Sequence, residues 1–511
     1  MSKEHDPGQL TGFYGWIEKA GNKVPHPVYL FIWLWAITLV ASLVLGKMGV
    51  GVTHPTTGEP INIVNMLTAD GIGNFLRNMG SKWMNFAPML TVPICTLGLA
   101  VSNYSGLLGA TLKTAGGSEN KWRLALIVAF IGVNANLAGD AAFIVFPPLV
   151  AMLYQSAGRN PLDGLFLAFA SVCVGFGANL LVGSGDASLA GMSEAAARII
   201  DPNYTANPAM GWYFMFTSTF ILTFLCAAIS IRYIEPRLAR TGLGVNSRKT
   251  VTQEEYQPLT AQERKGLKAS LISLILFFIL IWLMTFRGMP FQAPEGGTVM
   301  TGLLFKSIPT LVFLLFFIAG YVYGKVTGTI KKFGDTIPMM QKELKTLGSF
   351  FLICFFAAQF IAVFGDSQIA TVIAVLGGRF LQNLGLPGPI LLGVFVIMVA
   401  FINLFMGSAN GKWALISAIF VPMFMIAGIS PAATQVAYRM GDGLTNNITP
   451  TLPYLAIILG YAQEYDGRAK TGTVMAYMLP YSLIAGLVWI VFLLIWAYLG
   501  LPMGPGYGTF M

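Results

Sequence analysis

The stretch Gly441-Asp442-Gly443-Leu444-Thr445-Asn446-Asn447 interrupts a long apolar segment, 431–461. Glycine and asparagine placed this close together break a helix and expose backbone N–H and C=O groups. The first half of the chain carries a similar interruption, Gly175-Phe176-Gly177-Ala178-Asn179, within the apolar segment 162–193. At membrane depth such backbone is tolerated only where protein or a water-filled cavity covers it. A single break of this kind is also typical of a kink that lets helices pack closely.

The segments that precede the two breaks also resemble each other. Polar centres divide two apolar segments: Asn134-Ala135-Asn136-Leu137-Ala138-Gly139-Asp140 lies within 122–154, and Gly407-Ser408-Ala409-Asn410-Gly411-Lys412 lies within 388–428. Each segment has two arms of about 12–16 residues, short of the ~20 that a spanning helix needs, so we predict two re-entrant hairpins. A turn containing proline follows each hairpin, Asn160-Pro161 and Ser430-Pro431. The order hairpin, turn and broken helix therefore occurs twice, which predicts an internal repeat.

Further apolar segments predict the remaining membrane helices. Together with the two broken helices, they give nine spans: 27–46, 83–112, 162–193, 209–231, 267–286, 305–324, 346–383, 431–461 and 473–499. Five spans separate corresponding parts of the two copies, and because five is odd, the second copy is inverted. We therefore predict an all-α polytopic membrane protein with nine transmembrane helices, two re-entrant hairpins and inverted repeats. This architecture is typical of secondary transporters that bind substrate and ions near the membrane midplane.

The charged residues support one orientation of these spans. With the N-terminus in the cytoplasm, 22 of the 31 Lys and Arg residues lie inside, six lie outside and three lie at membrane depth. This bias agrees with the positive-inside rule, and it accounts for the net charge of +9. The predicted parts of the chain are a cytoplasmic N-terminus, a first membrane repeat, a basic cytoplasmic loop, a second membrane repeat and a periplasmic C-terminus: 1–26, 27–231, 232–268, 269–499 and 500–511.

Composition excludes several classes of protein. The 511 residues are 55% hydrophobic and 10% charged, whereas soluble domains carry about 25% charged residues. A soluble enzyme, a nucleic-acid-binding domain and a disordered protein are therefore excluded. Four cysteines lie in apolar runs without CxxC spacing, and three histidines lie near the N-terminus, so we expect no disulfide, zinc or haem site and no cofactor. The polar first 26 residues predict no cleavable signal peptide.

Seven ionisable residues fall inside the predicted spans or hairpins: Asp140, Asp186, Asp366, Arg379, Lys412, Arg439 and Asp442. Each costs roughly 2.5–3.5 kcal/mol in lipid, and such residues usually have a function. Arg439 and Asp442 are three residues apart on one helix face, so they can pair with each other. The pair is either structural or a substrate anchor, because an arginine contacts a carboxylate at two points.

Asp186 follows the first break in Gly183-Ser184-Gly185-Asp186. A lone carboxylate in this setting suits a cation or proton site, or a helix cap. We predict that the coupling ion, a proton or sodium, is bound by Asp186, Asn179, Asn136 and Asn446.

The remaining polar and aromatic candidates are Lys412, Trp413, Asp366 and Arg379. Lys412 can extend its ammonium group to the membrane interface. Trp413 can stack on an aromatic substrate or serve as an interface anchor. Asp366 and Arg379 lie outside the repeat cores, where a structural role is expected.

Four motifs together carry a family resemblance. They are Gly21-Asn22-Lys23-Val24-Pro25-His26-Pro27; Asn136-Leu137-Ala138-Gly139-Asp140 with Pro147-Pro148; Gly407-Ser408-Ala409-Asn410-Gly411-Lys412-Trp413; and Tyr438-Arg439-Met440-Gly441-Asp442-Gly443-Leu444-Thr445-Asn446. On these motifs the chain resembles the AbgT family of p-aminobenzoyl-glutamate transporters over essentially its whole length. The resemblance implies a bowl-shaped homodimer in the bacterial inner membrane, with nine spans and two hairpins in each subunit.

The resemblance also implies a function and a set of site residues. The function is ion-coupled, elevator-like transport of p-aminobenzoyl-glutamate and related folate catabolites. Some members resemble proton-driven exporters of sulfonamide antimetabolites, so the direction of transport stays open. The implied substrate-binding residues are Trp413, Arg439, Asp442, Pro431 and Pro450, together with Asn410, which stands where relatives have serine; Asp186 is implied for transport.

Two other classes of function are disfavoured by the sequence. Two broken, inverted repeats argue against the continuous pore of a channel. The sequence carries no acid/base pair with a nucleophile and no metal motif, so we expect no enzymatic activity.

Overall fold

A computed structural model describes residues 27–53, 60–113, 120–138, 140–244, 259–293, 303–406, 408–449 and 452–511. Within these ranges the protein is mostly helical. The helices α1 to α22, in chain order, are Pro27–Lys47, Ala69–Met84, Ala87–Tyr104, Leu107–Lys113, Lys121–Ala135, Asp140–Ser156, Pro161–Val174, Ser184–Ala197, Trp212–Ile229, Glu235–Thr241, Ala261–Leu283, Leu303–Lys306, Ile308–Thr327, Thr336–Thr346, Gly348–Asp366, Ile369–Asn383, Gly388–Asn403, Ala409–Ile426, Pro431–Thr445, Pro453–Tyr465, Thr471–Pro480 and Gly486–Tyr498. The predicted N-terminus 1–26, residues 245–258 of the basic loop, Gly139, Gly407 and Pro450 lie outside the described residues.

Several helices are long and apolar enough to cross a membrane. Five continuous helices meet this test in the described residues, or seven if each of two bent helix pairs is one span. Four of the five coincide with predicted spans: Trp212–Thr241, Ala261–Leu283, Ile308–Thr327 and Thr471–Tyr498. The fifth, α18, is an arm of the predicted second hairpin and has 18 residues, which is longer than the arm length predicted. The count of nine spans and the re-entrant course of the hairpins stay predictions.

The repeated order of elements predicted from the sequence is present. In the first half α5, a 3₁₀ turn, α6 and α7 lead to a 3₁₀ turn at Gly175–Gly177 and then to α8. In the second half α17, a short turn, α18 and α19 lead to a 3₁₀ turn at Asn446–Ile448 and then to α20. Each breaking helix also carries a glycine tight against the first arm of its hairpin. A side chain at Gly175 would clash with the backbone of Val133, and one at Gly441 would clash with that of Val396.

Contacts between loops agree with the predicted topology. At one end, Lys113 pairs with Glu263 at 2.8 Å, and the Gly244 N–H donates to the Asp466 carboxylate at 2.9 Å. All four residues lie in segments that were predicted to face the cytoplasm. At the other end, the C-terminal residues contact loops that were predicted outside. Which end faces the cytoplasm rests on the charge count.

The last residues of the chain form a defined structure at this second end, which we call the C-terminal clasp (residues 503–511). The Phe214 N–H at the start of α9 donates to the Met503 carbonyl at 3.2 Å. The Ser430 N–H and hydroxyl, at the start of α19, donate to the carbonyls of Thr509 and Gly508 at 3.0 and 2.6 Å. The clasp therefore joins the loops that lead into α9 and α19.

The segment between the first two spans contains structure that the sequence analysis missed. A two-stranded antiparallel ribbon pairs β1 (Gly51–Thr53) with β2 (Pro60–Asn62), and the amphipathic helix α2 follows. This region contacts two of the charged residues expected at membrane depth, Asp366 at the end of α15 and Arg379 on α16. Lys82 on α2 pairs with Asp366 at 3.3 Å, with both side chains about two-fifths exposed. The Arg379 guanidinium donates to the Thr53 carbonyl at 3.1 Å and is exposed.

The predicted interruption near Asp366 is confirmed. Helix α15 ends at Asp366, α16 begins at Ile369, and Gln368 between them adopts a left-handed φ of 62°. Left-handed backbone is uncommon for a residue other than glycine and cannot continue an α-helix.

Candidate functional site

The first break is held by polar groups at both of its edges. Helix α7 ends at Val174, the 3₁₀ turn follows, and α8 begins at Ser184. Asp186 is the third residue of α8, and its Oδ2 accepts a hydrogen bond from the Gly183 N–H at 2.6 Å. A carboxylate is favourable at this position because the first N–H groups of a helix lack partners and carry partial positive charge. The cap interpretation of Asp186 is therefore confirmed, alongside a second contact.

That second contact is an ion pair with Arg439, which comes from the other repeat. The Arg439 guanidinium lies in the first break, where Nη1 pairs with Asp186. Its Nε donates to the Phe176 carbonyl at 2.7 Å, and Nη2 donates to the same oxygen. Arg439 and Asp186 are 2% and 1% exposed. The first break therefore holds a cation between the Asp186 carboxylate and the Phe176 carbonyl, as expected from its polar groups. This cation is the Arg439 side chain rather than a bound ion.

The predicted pairing of Arg439 with Asp442 is wrong. Both residues lie on α19, but this helix crosses the first break, so Arg439 turns towards Asp186. Asp442 pairs instead with Lys412, whose Nζ lies 2.5 Å from Oδ1. The prediction that the Lys412 ammonium extends to the membrane interface is also wrong, because the Lys412 side chain is 0% exposed. A buried ammonium is stable only with such partners.

Further oxygen atoms surround the Lys412 ammonium. Nζ donates to the Met406 carbonyl at 3.1 Å and to the Asn403 side-chain oxygen. The Asn403 Nδ2 group contacts Asn446 Oδ1 at 2.8 Å and the Asp442 carbonyl at 2.9 Å. Asn446 in turn donates to Asp442 Oδ2 at 2.9 Å. The second break therefore also holds a tethered cation, and its polar groups are linked in one network.

An aromatic pair lies beside these ions. Trp413 and Tyr438 stack with ring centroids 4.4 Å apart, and both side chains are fully buried. The Trp413 Nε1 group donates to the Leu189 carbonyl and the Ser193 hydroxyl, both at 3.1 Å. Trp413 therefore lies between the two repeats and is not an anchor at a membrane interface.

The other predicted residues lie at differing distances from the ion pairs. Asn410 accepts a hydrogen bond from the Ser188 hydroxyl at 2.9 Å, where the second hairpin meets α8. Asn179 is buried next to the carbonyls of Gly175 and Ala178. Pro431 begins α19, more than two helical turns before Arg439, which is the position that favours proline for helix geometry.

Two asparagines that the sequence analysis did not select contact the breaks. The Leu180 N–H donates to Asn134 Oδ1 at 3.1 Å, so Asn134, rather than the half-buried Asn136, bonds to the backbone after the first break. Asn403 organises the second break. The one feature of the sequence that could have identified Asn403 is its position as a polar residue near the end of an otherwise apolar arm.

Taken together, the site contains two buried cations and two buried carboxylates, so it is electrically balanced. Arg439 and Asp186 join the two repeats, and Lys412 and Asp442 join the second hairpin to the second broken helix. Removing one member of such a pair leaves an uncompensated buried charge, which costs about 3–5 kcal/mol.

Comparisons with known proteins identify the family to which the chain belongs. The model of the AbgT putative transporter family matches residues 12–511. The p-aminobenzoyl-glutamate transport protein of Escherichia coli (strain K12) is 34% identical over 508 residues, which cover 99% of this chain and 98% of that protein. The structure of the Alcanivorax borkumensis YdaH transporter has a TM-score of 0.88 at 38% identity, covering 94% of this chain and all of that one.

The structure of Neisseria gonorrhoeae MtrF, described as illuminating a class of antimetabolite efflux pumps, has a TM-score of 0.90 at 36% identity and covers 97% of this chain and all of that one. The match to the family model covers nearly the whole chain, and the relatives are similar over their full lengths. The chain therefore belongs to the AbgT putative transporter family, and the protein is a membrane transporter.

Proposed function

We propose that the protein is an ion-coupled secondary transporter of p-aminobenzoyl-glutamate and related folate catabolites, located in the bacterial inner membrane. The name of the Escherichia coli relative supports this substrate class. The observation that carries the proposal is the buried Arg439–Asp186 pair, because it joins the two repeats at a helix break. We also propose a homodimer and elevator-like movement, as the resemblance implies.

Arg439 is suited to exchange one carboxylate for another. The substrate carries two carboxylates, and a planar guanidinium binds a carboxylate at two points. In the proposed exchange, a substrate carboxylate takes the place of Asp186 on Arg439. Asp186 then becomes free to bind the coupling ion, a proton or sodium, so substrate binding and ion binding depend on the same pair.

The aromatic ring of the substrate has a matching surface. Tyr438 precedes Arg439 in sequence, and its ring stacks on Trp413. An aminobenzoyl ring that stacks on Trp413 would replace Tyr438, just as the substrate carboxylate replaces Asp186. Both replacements occur on α19 and on the elements that it contacts, which supports a single binding event.

Proton-driven export of sulfonamide antimetabolites is the second candidate, favoured by the similarity to MtrF. Sulfonamides share the aromatic amine with p-aminobenzoate but lack the two glutamate carboxylates. Trp413 is therefore expected to matter for both classes of substrate, whereas Arg439 is expected to matter chiefly for p-aminobenzoyl-glutamate. This difference separates the two candidates.

The test is flux of radiolabelled p-aminobenzoyl-glutamate into proteoliposomes, under separate proton and sodium gradients. We expect one gradient to drive saturable flux. Arg439→Lys keeps the charge but loses planar contact, so substrate affinity should fall by about 1.5–3 kcal/mol, roughly tenfold to a hundredfold. Trp413→Ala should weaken aromatic substrates more than free glutamate. The exposed Arg379→Lys is the matched control and should behave as wild type.

Two outcomes would contradict the proposal. A rate of flux that is the same with and without the proton and sodium gradients would exclude ion coupling. Wild-type affinity in both the Arg439→Lys and Trp413→Ala proteins would place the substrate elsewhere. Loss of sulfonamide export in Trp413→Ala, without an effect of Arg439→Lys, would favour the exporter.

A further inference from the structure

The first broken helix begins at a buried carboxylate that the proposed transport site does not use. Asp163 is the third residue of α7 and is 1% exposed. The Ser230 hydroxyl donates to its Oδ1 at 2.7 Å. The nearest cation is Arg159, whose Nη2 lies 3.5 Å from Oδ2, longer than a charge-assisted hydrogen bond. The carboxylate is therefore only partly satisfied, although a buried carboxylate ordinarily requires full pairing.

Two buried tyrosine hydroxyls lie in the same place without partners. Tyr154 on α6 and Tyr481 have fully buried side chains, and neither hydroxyl has a hydrogen-bond partner among the described residues. Both lie close enough to feel the charge of Asp163, and both adjoin the Ser230 hydroxyl. Gly164 makes room for Tyr154, because a side chain there would clash with the tyrosine ring. Buried polar groups are rarely left unpaired, so these two hydroxyls are available to hydrogen-bond with a group that binds beside Asp163.

The backbone around this cluster is unusual at two positions. Residues Ser230–Ile234 and Tyr481–Ala485 each form a π-helical turn within a longer helix. Ser230 and Tyr481 are the first residues of the two turns. Such turns are rare and are frequently found at functional sites. Here they bring the two hydroxyls to the start of α7.

A chain of charged groups connects the cluster to water. The Arg159 guanidinium, which stacks on the Tyr154 ring at 4.7 Å, also donates to Glu235 Oε1 at 3.2 Å. The Glu235 side chain is 34% exposed, and Lys121 lies 3.9 Å from it. Asp163 is thus buried, but it lies one residue away from a carboxylate that water reaches.

We propose that Asp163 is a proton-binding site, with Tyr154, Tyr481 and Ser230 as the hydrogen-bond partners of its acid form and Glu235 as the entry point. The proton comes from water at Glu235 and joins an oxygen of Asp163, which becomes neutral, and Arg159 then pairs with Glu235 alone. The proton returns to water by the same route. A metal ion is disfavoured because Arg159 already supplies the neighbouring positive charge.

Titratable and charged groups face Asp163 from each neighbouring element. Arg159 lies in the preceding turn, Tyr154 on α6 and Glu235 on α10. Tyr481 faces it from the π-helical turn before α22, with Cys226 of α9 beside that tyrosine. The link between this proton and transport rests on the proposed function, whereas proton binding itself does not.

Infrared spectroscopy of the purified, substrate-free protein tests proton binding directly. Lowering the pH should produce the carbonyl band of a buried carboxylic acid, and this band should be absent in Asp163→Asn. Asp335→Asn removes a partly exposed carboxylate and is the matched control, so it should keep the band. A spectrum with no such band in the wild-type protein, or with the same band in Asp163→Asn, would overturn the proposal.

Two milder variants cover the case in which Asp163→Asn does not fold. Tyr154→Phe and Tyr481→Phe remove only the unpartnered hydroxyls, and each should shift the midpoint of the band by about one pH unit, a tenfold change in proton affinity. Unshifted midpoints in both would show that the hydroxyls are not partners of Asp163 and refute the site. If flux of p-aminobenzoyl-glutamate is absent in the wild-type protein while the band persists, the transport proposal fails and the proton site stands.

Discussion

The ion pair between Arg439 and Asp186 can be measured with a double-mutant cycle. Asp186→Asn removes the charge and keeps an acceptor for the Gly183 N–H, but it leaves the buried Arg439 guanidinium with the carbonyl and ring of Phe176 as its remaining partners among the described residues. Because both side chains are at most 3% exposed, we expect each of Asp186→Asn and Arg439→Gln to lower the free energy of unfolding by about 3–5 kcal/mol. The double variant removes both charges and should lose about as much as one single variant.

The coupling free energy is then about 3–5 kcal/mol, at or above the upper end of the ~0.5–3 kcal/mol found for residues in contact. Unfolding of the purified protein in mixed micelles, followed by tryptophan fluorescence, gives the four values. The exposed pair Lys82–Asp366, at 3.3 Å, supplies the control cycle, and its coupling should be about 0.2–1 kcal/mol. Equal coupling in the two cycles would refute the reasoning, since it would mean that burial does not strengthen the first pair.

Two further predictions concern other ion pairs. Lys412→Met should destabilise the protein by about 3–5 kcal/mol because it leaves the Asp442 carboxylate buried without its cation, and adding Asp442→Asn should restore part of this stability in the same unfolding assay; additive losses would contradict the pairing. Outside the membrane spans, the hydrogen bonds from Arg468 hold the pKa of Asp466 well below its ordinary value. The ionised Asp466 therefore contributes its full share of the folding free energy above that ordinary value, about 3.9. This stabilisation is lost as the pH falls through the lowered pKa. The melting temperature of Asp466→Asn should therefore lie below that of wild type at neutral pH, with the difference shrinking only in strong acid; a difference that does not depend on pH would assign the effect to packing.

The sequence predicted the first break correctly, because glycine and asparagine act locally. It placed the second break too early: Gly441 and Gly443 remain helical within α19, and the helix ends at Thr445. The two glycine-rich interruptions are visible in a few residues, and their spacing from the proline turns revealed the repeated order of elements. The buried charges were also recognisable, since an ionisable residue in an apolar segment is conspicuous. Asp186, Lys412, Arg439 and Asp442 were all selected on this basis.

The pairing of those charges could not be obtained in the same way. The sequence showed one short separation, between Arg439 and Asp442, whereas the observed partner of Arg439 is 253 residues away. Only the packing of the two repeats brings Asp186 to it. Helix α2 was missed for a different reason: it has no buried residues, so its segment lacks the long apolar run by which the other helices were found.

The C-terminal clasp has a practical consequence for experiments on this protein. The backbone N–H of the final residue, Met511, donates to the Gly428 carbonyl at 2.9 Å, next to the turn that begins α19. An affinity tag or fluorescent reporter fused to Met511 would begin directly after the residue that makes this hydrogen bond. Since α19 carries the proposed substrate-binding residues Arg439 and Asp442, we expect such a fusion to change transport rates while expression and membrane insertion stay normal. Untagged protein released by a protease is therefore the proper reference for every rate measured with a C-terminal fusion.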